Sequence, residues 1–99
     1  MTAQESPRAI FNRAVERKSL MLAMATAREI GVVSLEEALS LVALVAELQP
    51  ERLDAFGRRW LARLATERSL TLGELDLAIT ALRVLPSDPA VETLRQLAR

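Results

Sequence analysis

A chain of 99 residues makes one domain of ordinary size, and with 51% hydrophobic but only 3% aromatic residues its core must be aliphatic. Thirteen basic side chains balance thirteen acidic ones, which argues against a protein that finds nucleic acid through its overall field. Cysteine, histidine and tyrosine are absent; disulfides, thiolate metal sites and cysteine nucleophiles are excluded, and the commonest general base is missing.

The opening MTAQESPRAIFNRAVERKS lacks the continuous apolar segment of a signal peptide. The uncharged run between Glu37 and Glu47 falls far short of the roughly 20 residues that cross a bilayer. The reading is a cytoplasmic protein with no membrane partner, a single helical domain over residues 1–99 with residues 1–6 disordered. Ser6-Pro7 supplies an N-cap and a proline at the first helical position. Ile10, Phe11, Ala14 and Val15 follow at helical spacing. Ser19 can cap a second helix that runs through Met24 and Ala27 to Ile30 and stops at Gly31. With no Gly or Pro between them, one continuous helix from Pro7 to Ile30 is the alternative.

SLEE, residues 34–37, is a capping box, and the helix it opens runs to about Leu48 before Pro50. Its polar strip (Glu36, Ser40 and Glu47) is narrow, while Leu35, Leu39, Val42, Val45 and Leu48 spread round most of the circumference. Such a helix belongs at the centre of a core or in an interface. Pro50 starts a fourth helix. TLGE, residues 71–74, is a second capping box, opening a fifth helix that ends at Leu85-Pro86. Ser87-Asp88-Pro89 begins a last short helix with Val91, Leu94 and Leu97. No stretch alternates as a strand would. The fold class is all-α, a compact bundle of five to six short helices. The two boxes recur at an offset of 37 positions, which raises the option of two tandem αα-hairpins, helices two–three and four–five, with terminal helices beside them.

The fourth helix carries FGRRWLARL, residues 56–64. Trp60 shares one arc with Leu53, Phe56, Leu61 and Leu64 and reads as core. Arg58 can pair with Asp54 one turn back. Arg52, Arg59 and Arg63 form a ridge along one flank; Arg63 can reach Glu67, but Arg52 and Arg59 have no acidic residue one turn away. Either they cover the core edge and pair with glutamates of the third helix, or they contact an anion or an acidic partner. On the fifth helix Leu72, Leu75, Ile79 and Leu82 form the main apolar strip. Leu77, Ala81 and Val84 form a second strip on the far side, which a bundle this small struggles to cover: either the terminal helix packs over it, or Leu77 and Val84 meet a second copy or a partner. That strip is the expected interaction surface.

Catalysis finds no footing. Glu36/Glu37 and Glu74/Asp76 are spaced so that their carboxylates do not face each other, and glycines at 31, 57 and 73 make no phosphate loop. No catalytic, cofactor or metal residue is expected, and the chain reads as a non-enzyme. AREIGVVSLEEA, residues 27–38, resembles the centre of a helix-turn-helix, but the following helix offers leucines and valines where groove-reading polar residues are needed. A small apolar ligand between helices two and three, lined by Met21 and Met24, ranks lowest. RWLARL followed by LTLGELDLAITALRVLP resembles small all-helical proteins of GC-rich bacteria, a resemblance over about a third of the chain that implies a helical fold and no activity. The reading is a non-catalytic helical interaction or accessory module, a homo-oligomer or bound to another protein. The alternative is a DNA-associated regulator contacting phosphates through Arg52, Arg59 and Arg63, although charge balance makes nucleic acid the less favoured partner.

Overall fold

The computed structural model describes residues 6–99. Every regular element in them is helical: α1 Pro7–Glu16, α2 Leu20–Ile30, α3 Leu35–Leu48, α4 Leu53–Glu67, α5 Leu72–Arg83 and α6 Asp88–Ala98, with a 3-10 turn over Pro50–Arg52 leading into α4. The disorder expected at the N-terminus falls outside the described residues except at Ser6. That residue caps α1, its hydroxyl accepting from the Ala9 N–H at 3.2 Å.

Residues 7–30 form two helices, not one. Lys18 takes a φ of 57°, the left-handed conformation that a side-chain-bearing residue rarely adopts, and α2 folds back along α1. Ser19 stands at the N-cap of α2 without a side-chain capping hydrogen bond. The Lys18 ammonium instead donates to Glu47 on α3, tying the turn to the next helix. Gly31 closes α2 at a φ of 89°, a conformation for which the absent Cβ is required.

Both capping boxes form. Ser34 Oγ accepts from the Glu37 N–H at 3.0 Å, and Glu37 Oε1 accepts from the Ser34 N–H at 2.7 Å. Thr71 and Glu74 repeat the exchange at 3.1 and 2.9 Å. Each box satisfies two N–H groups that the first helical turn leaves without partners.

The helices pair most extensively as α1–α2, α3–α4 and α5–α6. This is one helix out of step with the expected hairpins two–three and four–five. The chain reverses within each pair through a tight turn, at residues 17–18, 50–52 and 84–86, whereas the segments at 31–34 and 68–71 carry no helical turn and link one pair to the next. The capping boxes therefore open hairpins; they do not join the arms of one. The assembly is elongated, 52 × 26 × 21 Å.

α3 explains its own composition. Leu35, Leu39, Val42 and Ala46 enter a core completed by Trp60 and Leu64 of α4, Ala78, Ala81 and Leu82 of α5, and Ala90 and Leu94 of α6. Leu44 and Val45 enter a second core with Phe11 and Ala14 of α1 and Leu20 and Ala23 of α2. One helix is buried on two sides. Most of its nearly continuous apolar circumference is consumed inside the molecule, and only Leu48 at its last position stays exposed, at 43%. Arg68 locks the far end, donating to the Ala98 and Arg99 carbonyls at 2.9 and 3.1 Å, where the last turn of α6 has acceptors to spare.

Arg8 joins α1 to the start of α3 through Glu37 at 3.0 Å. Partial burial pushes the Glu37 carboxyl up, but hydrogen bonds from the Ser34 backbone and from Arg8, with the arginine's charge, outweigh it and hold the group below its ordinary 4.5. A carboxyl lowered by folding contributes stability that is complete above its unfolded value and lost as pH falls through the folded one. Stability should therefore decline below about pH 4.5. Glu37→Gln, which keeps an acceptor for Ser34, should flatten that part of the profile in denaturant titrations run from pH 7 down to about pH 3.

Candidate interaction surface

α5 does not bury the strip that its largest side chains suggest. At about 100° per residue, Ala78, Ala81 and Leu82 share a face with the following Leu85, and these four are the buried ones. Two alanines let the neighbouring helices approach closely, so the packing face runs through them. Leu75 and Ile79 are only half-buried, and Leu72, at the first helical position, is 86% exposed. The expected second strip is corrected by the same rotation. Ala81 is 5% exposed and belongs to the core, whereas Leu77 and Val84 remain 49% and 56% exposed. Seven positions apart, these two stand on one flank of α5, about 20° from being aligned.

The other flank of α5 borders an open groove of about 500 Å³ against α4, floored by Leu53, Gly57, Leu61, Ile79 and Leu82, with Asp54, Arg58 and Arg83 at its edges. Sequence reasoning missed it. The available signal was Gly57, the single residue without a side chain on the inward arc of α4. A Cβ built there would meet Leu82 Cδ2 at 3.7 Å, ordinary contact. Gly57→Ala should consequently raise stability by about 0.5–1 kcal/mol, the cost of a glycine inside a helix. Urea unfolding would show the gain, and a loss would mean that the groove cannot tolerate even a methyl group.

The arginine ridge is engaged within its own chain. The guanidinium groups of Arg52 and Arg59 lie 5.0 and 4.8 Å from the centre of the Phe56 ring, in cation–π range. Arg52 also donates to Gln49 Oε1 at 2.8 Å. Arg63 holds Glu67 at 2.7 Å and Arg58 holds Asp54 at 2.9 Å, as their spacing suggests. The glutamates of α3 are occupied elsewhere: Glu37 with Arg8, Glu47 with Lys18, and Glu36 near Arg99 at 3.9 Å. Arg52 and Arg59 thus cover the half-buried Phe56, which packs against both cores, while Arg63 is turned to Glu67.

The remaining options lose their geometry. Burial on two sides leaves α3 unable to lie in a DNA groove as a recognition helix. Met21 is 85% exposed while Met24 packs on the second core, so the two do not line one cavity. Among the described residues no group of three or more carboxylates gathers to hold a metal ion, and no helix is long and apolar enough to cross a membrane. Comparison with protein-family models, with curated proteins and with solved structures finds no match to this chain.

Proposed function

We propose that the protein is a non-catalytic helical interaction module that self-associates through the outer flank of α5. The observation behind this reading is the pair Leu77 and Val84, half-exposed on one flank after two cores have been filled. Each is already about half-buried, so covering the rest contributes roughly 1 kcal/mol per side chain, and association depends on neighbouring contacts joining them. The lack of histidine and cysteine supports the non-catalytic part of the reading. DNA contact by Arg52, Arg59 and Arg63 is the weaker reading, because all three already have partners in their own helix or the turn before it.

Size-exclusion chromatography with light scattering tests the proposal. The unmodified chain should exceed its monomer mass of 10.9 kDa as concentration rises. Leu77→Glu and Val84→Glu, placed at exposed sites, should fold normally and remain at that mass. An unmodified chain that stays monomeric into the millimolar range would overturn the reading.

A further inference from the structure

We propose that the groove between α4 and α5 binds a free amphiphile, an unbranched apolar chain ending in a single carboxylate. The inference is independent of self-association, because neither Leu77 nor Val84 lines this groove. Its volume of about 500 Å³ falls within the roughly 300–1,000 Å³ of small-molecule sites, which are mostly apolar with a few polar groups that fix orientation.

Gly57 supplies the first observation. A glycine inside a helix is less stable than alanine there. Close packing does not demand it at this position, since a Cβ would stand in ordinary contact with Leu82 at 3.7 Å. What the missing side chain leaves is depth. Gly57 lies midway along the α4 wall, between Leu53 and Leu61, and a side chain longer than a methyl group would grow into the groove. From Leu53 to Leu61 the wall spans about 12 Å of helix, a strip that suits an extended alkyl chain.

Charge supplies the second. Of the three ionic groups at the edges, Asp54 and Arg58 hold each other at 2.9 Å. Arg83, exposed on the α5 side, makes no hydrogen bond or ion pair among the described residues. The uncompensated charge at the groove is therefore one guanidinium. Leu82 stands opposite Gly57, which sets the last turn of α5, with Arg83, toward the Leu53 end of the wall. A guanidinium presents paired N–H donors that match a carboxylate. A cationic head would find the one acidic group of the rim, Asp54, already held by Arg58. The chain thus lies along Leu53, Gly57 and Leu61 with its carboxylate at Arg83.

Decanoate is the probe, titrated into isotope-labelled protein below its micelle-forming concentration and followed by amide chemical shifts. The shifts should saturate with a Kd on the order of 1 mM, ordinary for so small a ligand, and should centre on Leu53, Gly57, Leu61 and Ile79. Arg83→Gln, at an exposed position that leaves both cores intact, should weaken decanoate about tenfold. Decyltrimethylammonium, with the same tail and a cationic head, should bind the unmodified chain about tenfold more weakly than decanoate does. Gly57→Leu should abolish binding while circular dichroism shows the fold retained; if it does not fold, the Arg83→Gln result decides. Equal affinity for the two amphiphiles, or decanoate binding unmoved by Arg83→Gln, would overturn the proposal. So would shifts that never saturate, or that centre on Met21, Leu77 and Val84, which would mark adsorption to exposed apolar side chains.

Discussion

Trp60→Ala should lower the free energy of unfolding by about 3–5 kcal/mol, a large share of the roughly 5–15 kcal/mol that holds an ordinary domain. The indole is 2% exposed, in a core otherwise made of buried leucine, valine and alanine contributed by α3, α4, α5 and α6 and by Leu85. Truncation would leave a void that aliphatic neighbours on rigid helices cannot close. Its Nε1–H donates to the Leu35 carbonyl at 2.9 Å, connecting α4 to the first residue of α3. Trp60→Phe keeps most of the apolar contact and removes that hydrogen bond, so it should cost far less, with about 1 kcal/mol from the bond itself. Urea titration followed by circular dichroism measures both variants without relying on the lost fluorophore. A loss below about 1 kcal/mol for Trp60→Ala would show that this residue is not the keystone of its core.

Phe11→Ala should cost about 3–5 kcal/mol as well, but the loss should be local. The second core is small: Phe11 is its one fully buried aromatic residue, with Ala14, Leu20, Ala23, Leu44 and Val45 around it. Emptying its centre weakens the docking of α1 and α2 on α3, while the opposite side of α3 remains held by the first core. Partial unfolding of this kind is ordinary where separate sets of contacts hold separate elements. The chain has one tryptophan, and it sits in the first core. Fluorescence therefore reports on that core, whereas circular dichroism reports on all six helices. In Phe11→Ala the dichroism should begin to fall at lower urea than the fluorescence changes. Coincident curves would mean that the two cores unfold as one unit.

Helix ends were legible because their chemistry is local. Ser6, the Ser34–Glu37 and Thr71–Glu74 boxes and Gly31 each act within about four residues, and each stands where its spacing suggests. The break before Ser19 was legible as the first of two readings, a second helix capped by Ser19, but no Gly or Pro marks it and the left-handed Lys18 that makes it was not foreseen. A left-handed lysine is held by its setting, here the contact with Glu47 twenty-nine positions away. The hairpin pairing escaped for a related reason: a capping box marks where a helix begins and is silent about which neighbour it meets.

The candidate surface was legible in part. Leu77 and Val84 are exposed as the wheel suggests. Ala81 was misplaced because ranking strips by bulk favours leucine, while closely packed helices favour alanine at the contact. The arginine ridge was legible in part as well. Arg52 and Arg59 flank Phe56 at four and three positions and stack on it, the core-edge covering that was one of the two readings; the pairing with glutamates of α3 offered beside it does not form.

The most direct test of the α5 flank uses the absence of cysteine from the chain. Val84→Cys places one thiol on the flank, and Ala55→Cys places one on the exposed outer side of α4. The rate of labelling by a maleimide is then followed as total protein is raised at fixed reagent. Association through α5 requires the Val84→Cys rate to fall with protein concentration while the Ala55→Cys rate stays constant. Equal and unchanging rates for both variants across that range would contradict it.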